Sequence, residues 1–244
     1  MPKYERFIAA SDLHGDLADP ASVAAMFDFM GHWKPKHRLF LGDLCDFRWL
    51  RSKASDEDKL DDGLQADIDA GVSFLDRYRC SVFLMGNHDH RIIKGMDSPD
   101  PAKSKLCGMI WGDLQDAMRG VKPVMYNKRH GVHQFGDRKL LHGYASGIGA
   151  ARKHALIFGD CWIGHLHSVE CVTTERHDSA ECRVIGTLAK LELGYNETQL
   201  GTLRQAAGFL YGVVFPNGRT VAWQAQAVDG VWLFPSEMRE VKCA

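Results

Sequence analysis

The 244-residue sequence lacks the features that mark membrane proteins and disulfide-stabilised proteins. No apolar run reaches the roughly 20 residues that a spanning helix needs, and the first residues lack the apolar core of a secretory signal. The seven cysteines form an odd, scattered set without a C-x-x-C pair, which argues against a disulfide framework and a zinc ribbon. We therefore expect a cytoplasmic protein that makes no membrane contact.

The sequence also has little net charge. Its 30 lysines and arginines nearly balance 31 aspartates and glutamates, so no overall field would drive binding to nucleic acid or to an anionic membrane. The apolar content of 45% and the charged content of 25% are typical of a globular protein with one sizeable core. We expect a single domain over residues 1–244 without an obligate protein partner.

Short apolar runs that end in polar residues recur through the first two thirds of the chain. They lead into Asp12, Asp43, Asn87, His142 and His165. Each run is rich in branched or aromatic side chains, which predicts a buried strand followed by a loop with functional groups. In open α/β sheets the carboxyl ends of the strands form the edge at which ligands bind.

Helices and a late hairpin complete the predicted elements. Asp19-Pro20 predicts the start of a helix that Gly31 ends, and apolar spacing predicts another helix from Leu64 to Tyr78. Two late apolar runs around residues 216–219 predict a hairpin, which we assign to the second sheet of a sandwich. The segments 51–62 and 92–105 are interpreted as surface excursions, the first as a solvated face or a lid.

Five motif pieces follow the predicted strands in order. They are Asp12-x-His14, Gly42-Asp43-x-x-Asp46, Gly86-Asn87-His88-Asp89, His142-Gly143 and Gly164-His165-x-His167. Each piece alone arises easily by chance, but the ordered set resembles the calcineurin-like metallophosphoesterase superfamily. The resemblance implies an α/β fold in which a two-sheet β-sandwich is flanked by helices.

The resemblance also implies a site for two divalent metal ions. The implied ligands are Asp12, His14 and His167 for the first ion, Asn87, His142 and His165 for the second, and Asp43 as a bridge between both. These donors suit manganese, iron, zinc, cobalt or nickel, of which manganese is favoured in a cytoplasmic enzyme. Two such ions make a bridging hydroxide available for attack on a phosphate ester.

His88 is left without a metal ion in this scheme. The resemblance implies that it protonates the leaving oxygen, a role that suits imidazole because its unperturbed pKa of about 6.5 lies near working pH. Asp46 resembles the family carboxylate that orients this histidine. Both residues are therefore candidate catalytic groups.

One position departs from the family pattern. Phosphoprotein phosphatases of this superfamily carry an arginine directly after the equivalent of Asp46, and this chain has Phe47 there. Protein phosphatase activity is therefore not expected. Three other arginines could contact a substrate phosphate in its place, since guanidinium binds phosphate with two parallel hydrogen bonds; they are Arg48, Arg91 and Arg152.

The expected function is hydrolysis of a phosphodiester or a nucleotide-like phosphate ester. A nuclease of the recombination-repair exonuclease type is an alternative, but it needs an extended basic surface, and the sequence offers only short patches at 34–38, 128–130 and 152–154. A pyrophosphatase of lipid precursors would need an apolar groove that the sequence does not show. The last alternative is a noncatalytic scaffold that binds protein, although such relatives typically lose the histidine that is retained here as His88.

Overall fold

The computed structural model describes residues 4–51, 63–175, 177–192 and 203–234. Its strands are β1 (Glu5–Ala10), β2 (His37–Phe40), β3 (Val82–Phe83), β4 (His133–Phe135), β5 (Arg138–Leu141), β6 (Cys161–Ile163), β7 (Val169–Thr173), β8 (Glu181–Ile185), β9 (Gly208–Val214), β10 (Thr220–Val228) and β11 (Val231–Trp232). Its helices are α1 (Pro20–Trp33), α2 (Gly63–Tyr78), α3 (Asp89–Met96), α4 (Pro101–Ala117) and α5 (Ala150–Phe158). Residues 52–62, most of the segment interpreted as a solvated face or lid, lie outside the described residues.

The strands form two sheets that pack face to face. The order is β11-β10-β9-β1-β2-β3 in the first sheet and β4-β5-β6-β8-β7 in the second. A buried cluster joins their inner faces, in which the rings of Phe7 and Trp162 stack with centroids 5.1 Å apart. Helices α1 to α4 cover the outer face of the first sheet and α5 covers that of the second. The predicted α/β sandwich flanked by helices is therefore confirmed.

The late hairpin joins the first sheet, so its assignment to the second sheet is wrong. Strand β9 pairs antiparallel with β1, with Tyr211 opposite Ile8, and β10 pairs with β9. Strand β9 is buried along almost its whole length. Such a continuous apolar run suits a central strand that is covered on both faces. The second sheet is built instead on β5 and β6, the strands that precede His142 and His165.

Helix α1 begins as predicted but continues past Gly31. The Asp19 carboxylate accepts the backbone N–H of Ser22 at 3.0 Å, which caps the first turn. The helix extends to Trp33, whose side chain is buried against the first sheet, and it ends at Lys34 in a left-handed conformation with φ 50°. Burial of the last turn therefore outweighs the unfavourable helix propensity of Gly31.

The segment 92–105 is helical and not a surface excursion. Ile92 is fully buried in α3, and α4 begins at Pro101 after Asp100, which accepts the Ala102 N–H at 2.9 Å. Proline at this position marks a helix start, since its missing N–H has no partner there in any helix. No helix within the described residues is long and apolar enough to cross a membrane.

Candidate metal centre

The predicted site residues meet at one end of the sandwich, and they come from both sheets. Asp12, Asp43 and Asn87 follow β1, β2 and β3 of the first sheet, whereas His142 and His165 follow β5 and β6 of the second. Parallel strands within each sheet bring their carboxyl ends to a common edge. The two edges face each other, so the site lies between the sheets.

The first cluster consists of Asp12, His14 and His167, whose nearest nitrogen and oxygen atoms all lie within 4.8 Å of one another. His14 Nε2 is 3.0 Å from His167 Nε2, and His167 Nε2 is 3.3 Å from Asp12 Oδ1. Asp43 Oδ2 is 3.9 Å from His14 Nε2 and completes the group. Four predicted ligands of the first ion are therefore together.

The second cluster consists of Asp43, His142 and His165, again within 4.8 Å of one another. His142 Nε2 is 3.2 Å from Asp43 Oδ2 and 3.1 Å from the amide oxygen of Asn87. The same Asp43 oxygen thus lies near both clusters, as expected for a bridging carboxylate. The structure brings together all seven residues predicted from the motifs as metal ligands.

The separations between these atoms fit metal coordination. Bonds of about 2.1 Å from a metal to nitrogen and oxygen place adjacent ligand atoms about 3.0 Å apart in an octahedron and about 3.4 Å apart in a tetrahedron. The four shortest contacts, 3.0 to 3.3 Å, fall in this range. The donor set of carboxylate, imidazole and amide groups suits divalent transition metals.

The backbone of the site is held in an uncommon conformation. Ten non-glycine residues of the described chain have positive φ, and five of them are predicted ligands: Asp12, His14, Asp43, His165 and His167, with φ between 54° and 67°. This conformation is unfavourable for residues with a Cβ and is concentrated at functional sites. In the His-x-His turn it directs His165 to the second cluster and His167 to the first.

The charges of the site favour ionised carboxylates. Burial opposes the charged form of Asp43, but the neighbouring His142 and His88 outweigh it and hold the pKa of Asp43 well below its usual range. Burial and the charge of His142 lower the pKa of His165 to about 4, which leaves that ring neutral. The ionised Asp43 and the neutral His165 are in the forms that bind metal ions, whereas Asp43 raises the pKa of His142 to about 9, so that ring would release a proton on binding a metal ion.

His88 lies beside both clusters and is held by Asp46. Its Nδ1 is 2.9 Å from the Asp46 carboxylate and 2.9 Å from the Asp46 carbonyl, and its Nε2 is 3.9 Å from Asp43 Oδ2. The Asp46 carboxylate is also 3.1 Å from His14 Nδ1. Burial lowers the pKa of His88, but Asp43 and Asp46 outweigh it and raise the pKa above its usual value. The structure therefore places the predicted pair in contact.

Solved structures show similarity to this chain over most of its length, whereas no family model and no curated protein matches it. Vps29 complexed with Zn²⁺ from Entamoeba histolytica superposes with a TM-score of 0.50 at 14% identity, covering 93% of this chain and 96% of that one. Vacuolar protein sorting 29 from Cryptosporidium parvum gives 0.49 at 16% identity, covering 94% and 95%. The phosphoesterase YfcE from E. coli gives 0.41 at 12% identity, covering 90% and 97%.

This chain has the calcineurin-like metallophosphoesterase fold. The fold that the five motifs implied is thereby confirmed, and the motif residues occupy the loops at the carboxyl ends of its strands. At these identities the similarity concerns the fold alone. The expected absence of an obligate protein partner stays a prediction.

Within the calcineurin-like fold the three candidate substrate arginines have different surroundings. Arg91 donates a hydrogen bond of 2.7 Å to the carbonyl of Asp46 and so contacts the site. Arg48 binds both carboxylate oxygens of Asp16 at 2.9 and 2.8 Å. Arg152, on α5 outside the second sheet, lies 3.7 Å from Glu175. Arg91 is therefore the candidate with direct access to the centre.

Asp89 supports the loops after β2 and β3, a role that the motifs do not indicate. Its buried carboxylate accepts backbone N–H groups of Asp43 at 2.8 Å, Leu44 at 3.0 Å and Gly86 at 2.9 Å. These bonds tie the loop after β2 to the loop after β3. Burial raises the pKa of Asp89 to about 6. Its place at the end of the third motif is the signal that could have identified it.

Asp67 and Arg51 also support the site, and no motif points to them. The Asp67 carboxylate, on α2, accepts the N–H groups of Asp46 at 2.9 Å and Phe47 at 2.8 Å. Arg51 donates to Asp46 Oδ2 at 2.9 Å. Both residues lie in segments whose sequence resembles an ordinary charged surface. Phe47, the departure from the phosphatase pattern, is fully buried and cannot present a polar group to a substrate.

Proposed function

We propose that this chain is a dinuclear-metal-dependent phosphoesterase that hydrolyses a phosphodiester or a nucleotide-like phosphate ester. The convergence of seven carboxylate, imidazole and amide side chains on two adjoining clusters carries the proposal. Five of these residues adopt a strained left-handed backbone, which a merely structural histidine cluster does not require. The E. coli protein with a similar fold is a phosphoesterase by name.

The proposed ligands divide between the two positions. Asp12, His14 and His167 hold the first ion, Asn87, His142 and His165 hold the second, and Asp43 bridges them. When bound there, two divalent cations supply hydroxide near neutral pH and offset the negative charge of the phosphate. Manganese is the proposed metal in the cell, and zinc is a candidate since the Entamoeba protein is complexed with Zn²⁺.

His88 is the proposed general acid. As the phosphorus–oxygen bond to the leaving group breaks, the leaving oxygen takes the proton from His88 Nε2. Asp46 holds Nδ1 on the opposite side of the ring, which fixes the orientation of Nε2 toward Asp43. Asp43 and Asp46 raise the pKa of His88, which favours the protonated ring that a general acid needs.

The proposal is tested with metal-loaded protein and two chromogenic esters, bis-p-nitrophenyl phosphate and p-nitrophenyl phosphate. We expect cleavage of the diester with manganese and none in the presence of a chelator. Asp43→Asn should lose both metal binding and activity. His88→Asn should keep both ions and lose about 10²-fold or more in kcat, whereas His32→Asn, at an exposed position on α1, should change neither.

A noncatalytic, metal-dependent protein scaffold is the second candidate. The observation that favours it is the similarity in fold to two Vps29 structures, one named for vacuolar protein sorting and the other complexed with Zn²⁺. The assay separates the two candidates. A wild-type protein that binds two ions and remains inert with every metal and ester would contradict hydrolysis and favour the scaffold.

A nuclease acting along a nucleic-acid backbone is less well supported. Such an enzyme needs a continuous basic surface. The short basic patches of this chain are partly neutralised, since Lys36 pairs with Glu5 and Arg152 lies near Glu175. A small phosphate ester is therefore the favoured substrate.

A further inference from the structure

A basic cavity lies beside the proposed metal centre. Its volume is about 660 Å³, which is within the range of small-molecule binding sites. Of the ionisable residues among the described residues that line it, one is acidic, Asp97, and four are basic: Arg51, Arg91, Lys94 and Lys103. The chain as a whole carries a formal charge of −1, so this gathering of positive charge is local. The Asp46 carboxylate offsets the charge of Arg51, but Arg91, Lys94 and Lys103 still outnumber Asp97 in the described lining, so the cavity favours an anionic ligand.

The walls of this basic cavity are held in place by contacts within the protein. Arg51 donates to the Asp46 carboxylate at 2.9 Å, and Arg91 donates to the Asp46 carbonyl at 2.7 Å. Helices α3 and α4, which carry the two lysines, pack so closely that a Cβ at Gly95 would lie 2.4 Å from Cys107 Sγ. A ligand would thus meet a largely preformed site, which lowers the entropic cost of binding.

The basic cavity adjoins the metal centre at Asn87. This residue lines the cavity, and its amide oxygen is 3.1 Å from His142 Nε2 in the second cluster. Asp46 links the two places from the other side, since it contacts His88 as well as both arginines. A molecule with one anionic group at the centre can therefore place another in the cavity.

We propose that the basic cavity binds a second phosphate group of the substrate, so that the substrate class is a phosphate ester that carries another phosphate. The inference rests on the proposed function for the fate of the first phosphate, which is hydrolysed at the metal centre. The second phosphate is not cleaved. It is held by lysine and arginine side chains, the residues that bind phosphate most often in proteins.

Two substrates with the same scissile bond test the proposal. They are the p-nitrophenyl ester of thymidine 5′-phosphate and its counterpart with an additional 3′-phosphate. With the wild-type protein, kcat/KM should be about tenfold or more higher for the 3′-phosphorylated ester, as one charge-assisted contact provides. Equal values for the two esters would overturn the proposal.

The lysines are the residues to change, because the arginines also contact Asp46. In Lys94→Ala/Lys103→Ala the ratio of kcat/KM between the two esters should fall to about one. Lys105→Ala is the matched control, since Lys105 is exposed on the same helix as Lys103 and does not line the cavity. A double variant that keeps the wild-type ratio would refute the assignment.

Binding to metal-free protein separates this inference from the proposed function. Thymidine 3′,5′-bisphosphate, measured by calorimetry with chelator present, should bind the wild type and Lys105→Ala at least tenfold more tightly than the double variant. If neither ester is cleaved but this difference appears, the proposed function fails and the cavity assignment stands. If the bisphosphate binds all three proteins equally, the cavity assignment fails whatever the catalytic result.

Discussion

A single carboxylate, that of Asp46, holds two histidines of the site. It lies 2.9 Å from His88 Nδ1 and 3.1 Å from His14 Nδ1, and it is fully buried. Replacing it with alanine removes the carboxylate from both rings and leaves His88 Nδ1 only the backbone carbonyl of residue 46. Loss of such a supporting group typically costs 10- to 100-fold in metal affinity or activity. We predict a decrease of about that size in kcat/KM for Asp46→Ala.

A pH profile distinguishes positioning by Asp46 from general damage. Asp46 contributes to the raised pKa of His88, so its removal should move the alkaline limb of the rate profile to lower pH. Asp28→Ala, at an exposed site on α1, should leave the rate and the profile unchanged. An Asp46→Ala enzyme with a slower rate but an unmoved alkaline limb would argue against this role.

The buried Asp67 carboxyl should make the free energy of unfolding of the protein depend on pH. Burial outweighs its two backbone hydrogen bonds and raises its pKa from 3.8 to about 6. The folded state therefore holds this proton more tightly than the unfolded state, and its stabilising effect is lost as pH rises from about 4 to 6. This rise in the pKa of Asp67 corresponds to about 3 kcal/mol in the free energy of unfolding.

Urea unfolding of metal-free protein checks the effect of Asp67. The free energy of unfolding of the wild type, relative to Asp67→Asn, should decrease by up to about 3 kcal/mol between pH 4 and pH 7. Other buried acids such as Asp89 are present in both proteins and cancel in the difference. Parallel pH curves for the two proteins would show that Asp67 titrates normally.

The loops after β2 and β3 form one unit in which the backbones touch. A Cβ at Gly86 would lie 2.0 Å from Asp43 Oδ1 and 2.5 Å from Asp43 N. Gly86→Ala should therefore displace the bridging carboxylate, and a shift of about 1 Å can cost about 100-fold in rate. We predict a loss of that order in kcat/KM together with weaker metal binding in calorimetry.

Gly31 provides the matched control for Gly86. It lies inside α1, and a Cβ there would meet nothing within 4 Å. Gly31→Ala should leave activity unchanged and raise the free energy of unfolding by about 0.5–1 kcal/mol, because alanine is the better helix former. Equal activity of the Gly86 and Gly31 variants would contradict the proposed closeness of the two loops.

At the scale of the elements, the sequence predicts the strands but not how they pair. Apolar runs predict the strands before the motifs, because a strand buried on both faces leaves a continuous apolar pattern. The same pattern does not specify the partner strand, which is why the prediction for the β9-β10 hairpin is wrong. Pro101 is ambiguous for a similar reason, since proline marks a helix start as readily as a loop.

For the site, the candidate ligands could be predicted from the sequence, but the supporting residues and the basic cavity could not. Its seven candidate ligands could be predicted because the five motifs, in their order, resemble those of a known superfamily whose metal ligands occupy the same motif positions. Asp67 could not, because a buried acid on a helix has the same local sequence as an exposed one. The basic cavity could not either, since Lys94 and Lys103 become neighbours only through the packing of α3 and α4.

At the scale of the whole molecule, metal binding should join the two sheets. Asp12 and Asp43 come from loops of the first sheet, and His142 and His167 come from the second. An ion held by both groups would therefore add a link between layers that apolar packing and hydrogen bonds already join. The unfolded chain does not bring these residues together. Binding should therefore stabilise the folded state by an amount set by ligand concentration and affinity.

Thermal unfolding measures how much metal binding stabilises the folded protein. At a metal concentration about 100 times the dissociation constant, the gain is about 2.7 kcal/mol, which corresponds to a Tm increase of about 5–10 °C for a chain of this size. Asp43→Asn should lose the increase, because it removes the carboxylate shared by both clusters, whereas His32→Asn should keep it. If the wild type melts at the same temperature with manganese, zinc or chelator, the two clusters do not hold ions in the folded protein. Both the proposed chemistry and the proposed bridge between the sheets would then fail together.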